Sequence, residues 1–126
     1  MRATDTNVLV RIILRDDARQ AVAADRFVER GAWVPVLALA EASWVLTSVS
    51  ERSAAELAAM IQMLLDHEHL AIQDPEIVEA ALEVFRARPT LGFSDCLMLE
   101  MARKAGHLPF GTFDRGLSRI DGAGRL

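Results

Sequence analysis

A chain of 126 residues with 52% hydrophobic content is long enough to bury a core, and its composition argues against disorder. No apolar run approaches the ~20 residues of a membrane span, and the single Cys96 leaves no internal disulfide and no multi-cysteine zinc site. A net charge of −4 speaks against gripping nucleic acid through overall basicity, unless several acids gather around cations and invert the local field.

The elements follow in chain order. "RATD" reads as a brief strand, and Thr6 or Asn7 opens a helix through about Leu14. "RDDARQ" breaks the apolar pattern, so Asp16 or Asp17 is expected to cap a second helix that Gly31 ends. "AWVPV" is a second strand, placed near a sheet edge by Pro35. "LALAEASWVLTSV" is a third helix. A fourth, "SAAELAAMIQMLLDHE", opens on a capping box of Ser53 and Glu56. "LAIQD" is a third strand, and Pro75 starts a helix through about Arg88. "SDCLMLEMARKA" is a helix stopped by Gly106, "PFGTF" a fourth strand, and Asp114 opens a short terminal helix before a "GAGRL" tail. Strands alternating with helices, none joined by a hairpin-length turn, predict an α/β fold with a parallel sheet covered by helices. No repeat, linker or signal peptide interrupts residues 1–126, which are expected to form a single domain.

In open sheets of this kind, sites lie beyond the carboxyl ends of the strands, where Asp5 and Asp114 are expected. Each could simply cap a helix, and Asp95 at a helix start could simply answer the helix dipole. Glu41 is harder to excuse: the apolar residues distributed around its helix predict that it is largely buried, needing an Arg or a metal as partner. If the four converge, crowded carboxylates need cations, and their hard oxygens suit Mg²⁺ or Mn²⁺. Such ions activate water and steady the leaving oxygen of a phosphodiester, so the implied chemistry is hydrolytic phosphoryl cleavage.

"DTNVLVR", "LAEASWVL", "FSDCLMLEMARKAG" and "TFDRGL" occur in the order and at roughly the spacing found in PIN-domain ribonucleases, which this chain resembles over nearly its whole length. Its length and the "RDD" after the first helix look most like the VapC-type toxins of bacterial toxin–antitoxin pairs. The resemblance implies a PIN-like three-layer α/β/α fold with a central parallel sheet of four or five strands. It also implies a Mg²⁺- or Mn²⁺-dependent endoribonuclease acting on RNA, a cognate antitoxin, and a homodimer; the lone Cys96 suits a reducing cytoplasm. Carried over by position, Asp5, Glu41, Asp95 and Asp114 would form the catalytic and metal-binding quartet, supported by Asn7 and Thr112. The chain departs from many relatives at Gly92, where they carry a further acid, and at Cys96, which reads as a packing residue.

Arg11, Arg15 and Arg115 are candidate contacts for RNA or antitoxin, although local Arg–Asp pairing explains the first two as well. "DHEH" lacks metal-ligand spacing and reads as a solvent-facing helix end. Two other classes compete. In a non-catalytic α/β binding module all the acids would be caps. A phosphotransfer receiver domain would need an acid pair directly after the first strand, where here a full helix intervenes.

Overall fold

A computed structural model describes residues 1–126 as two compact units, Met1–Pro75 and Glu76–Leu126. The fold class is the expected one: mixed α/β, with every strand pair parallel. No helix is long and apolar enough to cross a membrane.

The first unit holds a three-stranded sheet in the order β1 (Arg2–Ala3), β2 (Ala32–Val34), β3 (Leu70–Ile72). Arg2 pairs with Ala32, and Ala32 with Leu70. Between β1 and β2 run α1 (Thr6–Leu14) and α2 (Ala18–Val28); between β2 and β3 run α3 (Val36–Trp44) and α4 (Ala54–Asp66). α1 packs on both α2 and α3, with Leu9, Val10, Ile12, Ala24, Val28 and Leu39 buried. Each large apolar side chain so buried contributes roughly 1.5–3 kcal/mol. Asp5 caps α1 by accepting from the Val8 backbone N–H at 3.0 Å, and Asp17 caps α2 through Gln20 at 3.0 Å. In the capping box of α4, Ser53 Oγ accepts from the Glu56 N–H, and Glu56 Oε1 accepts from the Ser53 N–H, each at 3.1 Å.

Pro35 does not mark an edge, contrary to expectation. β2 is the central strand, ending at Val34, and Pro35 (φ −65°) stands just outside it as the lead-in to α3. Its missing N–H is therefore never asked for by the sheet. α3 is followed by one π turn, Val45–Val49, closed by Ser50 N–H donating to the Val45 carbonyl at 3.0 Å. Thr47 Oγ1 donates to the Ser43 carbonyl at 2.8 Å, a back-bond that competes with the helical ladder.

The second unit carries α5 (Pro75–Ala87, whose first residue closes the first unit), α6 (Phe93–Ala105), β4 (Phe110–Thr112) and β5 (Ala123–Arg125). Phe85 and Phe93 meet edge to face at 5.8 Å. α6 stops at Gly106, whose φ of +81° is the left-handed conformation that glycine adopts without strain. A single 3₁₀ turn, Leu117–Arg119, replaces the expected terminal helix. The "GAGRL" stretch is no loose tail: it supplies β5, which pairs with β4 as Phe110 with Ala123. The five strands thus divide into sheets of three and two, in place of one sheet of four or five. β5 opens on Ala123 and Gly124, which offer almost no side chain for a pattern to reveal.

Candidate active site

Asp5 leaves the carboxyl end of β1, where the Thr4 N–H donates to the Trp33 carbonyl at 2.9 Å. The next residue, Thr6, donates its hydroxyl to Glu41 Oε2 at 2.6 Å. α1 and α3 pack together, so Asp5 and Glu41 are linked through consecutive residues of one helix start. Both carboxylates are exposed, and for Glu41 this is a correction. The side of α3 bearing Glu41 also bears Leu37 and Trp44, which are 69% and 63% exposed. The apolar residues around this helix do not all face a core; one stripe faces outward, and Glu41 belongs to it. Its partner is a hydroxyl, not an arginine.

In the second unit Asp95 lies in the first turn of α6 and Asp114 follows β4. Burial, and then the charge of Asp114, raise the Asp95 carboxyl above the ordinary aspartate range. Asp114 Oδ1 accepts from the Leu117 N–H at 2.7 Å, and the Asp114 N–H donates to Thr112 Oγ1 at 3.0 Å. Thr112 therefore fixes the loop that presents Asp114. At Gly92 a Cβ would lie 3.4 Å from Asp95 Oδ2, and at Gly116 one would lie 3.3 Å from Asp114 Oδ1. The approach at Gly116 is the tight one, where a Cβ would also lie 3.1 Å from Leu91, whereas at Gly92 the contact would be ordinary.

The expected quartet is thus found as two pairs, Asp5 with Glu41 and Asp95 with Asp114, one pair in each unit. Neither unit by itself gathers three acids, histidines or cysteines into a metal-ligand group. The pairs nonetheless suit a divalent cation chemically. Their donors are hard carboxylate oxygens, and the mutual repulsion in the second pair is what a cation would relieve. Asp5 and Asp114 do act as caps, but each through Oδ1 alone.

Of the supporting residues, Asn7 is exposed in the first turn of α1. Arg11 pairs with Asp16 at 2.9 Å, and Arg15 holds Asp25 in a two-pronged contact at 3.0 and 2.6 Å. That contact keeps the Asp25 carboxyl below its ordinary range, chiefly through the Arg15 hydrogen bonds. Arg115 is exposed. His67 Nδ1 accepts from the His69 N–H, His69 lies 3.2 Å from Glu68, and the His69 carbonyl accepts from the Ala32 N–H at 2.8 Å. Cys96 is fully buried and its thiol is pushed up to about 11, first by burial and then by Asp95 and Glu100, which makes it inert packing. Thr6 is the residue that sequence reasoning passed over; its place between Asp5 and Asn7 in "DTN" was the available signal.

A family model described as PIN domain matches residues 3–123. No curated protein and no solved structure matches the chain.

Proposed function

The chain belongs to the PIN-domain family, and on that premise we propose that it is a Mg²⁺- or Mn²⁺-dependent endoribonuclease serving as the toxin of a toxin–antitoxin pair. PIN domains are in general nucleases and typically use divalent metal ions, so the hydrolase class follows from the family. The finer reading adds RNA cut internally, in the cytoplasm, by a homodimer that a cognate antitoxin restrains. It is supported by the order of the four motifs and by the "RDD" that follows α1. The observation that carries it is the presence of all four acids within residues 3–123, in the two pairs described.

Asp5, Glu41, Asp95 and Asp114 are the residues proposed to hold the metal. When bound, a divalent ion polarises the phosphoryl oxygens and lowers the pKa of an attacking water. The chain's own contribution is positional. The N–H of Val8 fixes Asp5 Oδ1 and leaves Oδ2 for the site. Thr6 fixes Glu41 through one oxygen, and Leu117 fixes Asp114 in the same way. Burial and the neighbouring Asp114 charge raise the Asp95 carboxyl pKa above the ordinary aspartate range. No side chain is required as a nucleophile.

The caps at Asp5 and Asp114 are also what a non-catalytic module would show, so the decisive experiment concerns metal and RNA together. The purified chain is expected to cleave single-stranded RNA with Mg²⁺ or Mn²⁺ and not with EDTA. Millimolar Mn²⁺ is expected to raise its melting temperature, because a ligand bound to the folded state alone stabilises it. Asp5→Asn is expected to remove cleavage and to shrink that rise. A chain that neither cleaves RNA nor responds to metal is the cap-only module.

A further inference from the structure

Between α1 and α2, in the unit that carries Asp5, lies an open cleft of about 410 Å³. Asp5, Asn7, Arg11 and Gln20 supply its polar lining, and Ala23 and Phe27 are among its apolar walls. Several hydrogen-bonding groups here are unspent. Arg11 gives one guanidinium nitrogen to Asp16 at 2.9 Å, while its Nε is screened from water and has no acceptor. Gln20 bonds through its backbone N–H to Asp17, which leaves its amide head to the cleft. Phe27 is anchored on one side: the Arg2 guanidinium sits 4.1 Å from its ring centroid and donates to the Phe27 carbonyl at 3.0 Å. Anchoring spares the ring the loss of motion that would oppose stacking with a ligand.

We propose that this cleft receives one unpaired nucleobase of the RNA substrate, beside the phosphodiester cut at Asp5; the proposal rests on the nuclease reading above. Single-stranded RNA is read by stacking on aromatic side chains and by hydrogen bonds to base edges. The cleft offers both, since Phe27 supplies an aromatic wall while Asn7 and Gln20 each carry a donor and an acceptor. Amides make paired contacts with adenine edges in nucleic-acid grooves. The size fits as well, because small-molecule pockets run from roughly 300 to 1,000 Å³. Location decides between occupants. A proposed metal ligand lines the cleft, so a nucleotide with its phosphate there has its own base within reach of the amides. A peptide side chain would gain nothing from that adjacency.

Ala23→Leu tests the cleft, because Ala23 is exposed on α2 and leucine is a good helix former that would fill the space without unfolding the helix. Gln20→Ala removes one amide. The probes are fluorescein-labelled single-stranded hexanucleotides of A, C and U, followed by fluorescence anisotropy in EDTA, with cut-site sequencing and Mn²⁺ thermal shift alongside. Ala23→Leu is expected to weaken the preferred oligonucleotide roughly tenfold, in line with the loss of one stacked base. Gln20→Ala is expected to change which bases flank the cuts. The Mn²⁺ thermal shift is expected to persist in both variants. If both bind and cut as the parent chain does, the base lies elsewhere and the cleft is left for a protein side chain. If the parent chain neither binds these oligonucleotides nor cuts RNA, the nuclease reading falls and the subsite falls with it. If it cuts RNA and Ala23→Leu leaves KM unchanged, the subsite alone falls.

Discussion

The carboxylate of Glu41 is steadied by the hydroxyl of Thr6, a residue 35 positions away along the chain. Thr6→Val keeps the shape and removes the donor. It is expected to lower kcat about tenfold with little change in KM, because a carboxylate free to swing is misplaced more often at the reacting centre. Thr6→Ser is expected to restore most of the rate. A fall in KM-related binding with kcat intact would instead make Thr6 a substrate contact. Asp95 gives a second residue-scale test. Its folded pKa is raised above the unfolded value by burial and then by Asp114. The stability this group contributes is therefore full below the unfolded pKa and is lost as pH rises through the folded one. Asp95→Asn is expected to raise the melting temperature in EDTA at neutral pH, converge with the parent at acid pH, and shrink the Mn²⁺-induced rise. A melting temperature lowered at neutral pH would show that the carboxylate is stabilising as an ion. The capping roles of Asp5 and Asp114 were legible in the sequence, since a cap is a matter of three residues. The exposure of Glu41 and its hydroxyl partner were not, because both depend on which side of α3 meets α1.

At the scale of elements, local chemistry was the better guide. The Ser53–Glu56 box, the cap at Asp17 and the glycine stop at Gly106 all appear where short-range rules place them. Ser53→Ala removes one acceptor from an exposed helix start and is expected to cost about 1 kcal/mol, read by urea denaturation, with RNA cleavage retained. No loss of stability would mean that α4 is held by its buried face alone, through Leu57, Ile61 and Leu64. What escaped notice were features decided by pairing at a distance or by a single back-bond. β5 has no alternation to read, Pro35 lies one residue beyond a central strand, and Thr47 accompanies a π turn inside an apolar run that otherwise reads as one helix. The Arg–Asp pairs follow the plainer expectation, since Arg11 in α1 holds Asp16 and Arg15 just after it holds Asp25 in α2.

For the whole molecule, parallel strands alternating with helices led to the correct fold class, and the family match over residues 3–123 agrees with it. The division into two sheets was hidden because strand partners are chosen by backbone pairing that side-chain patterns do not encode. Each unit supplies two of the four acids proposed as ligands, and neither forms a ligand group alone. The most direct test is single-turnover cleavage of one single-stranded RNA in Mn²⁺ by Asp5→Asn and by Asp95→Asn, each confirmed folded by its circular dichroism melt. Each substitution is expected to slow cleavage at least ~100-fold, the scale on which one preorganised charge at a reacting centre acts. Either folded variant cutting at the parent rate would contradict the account.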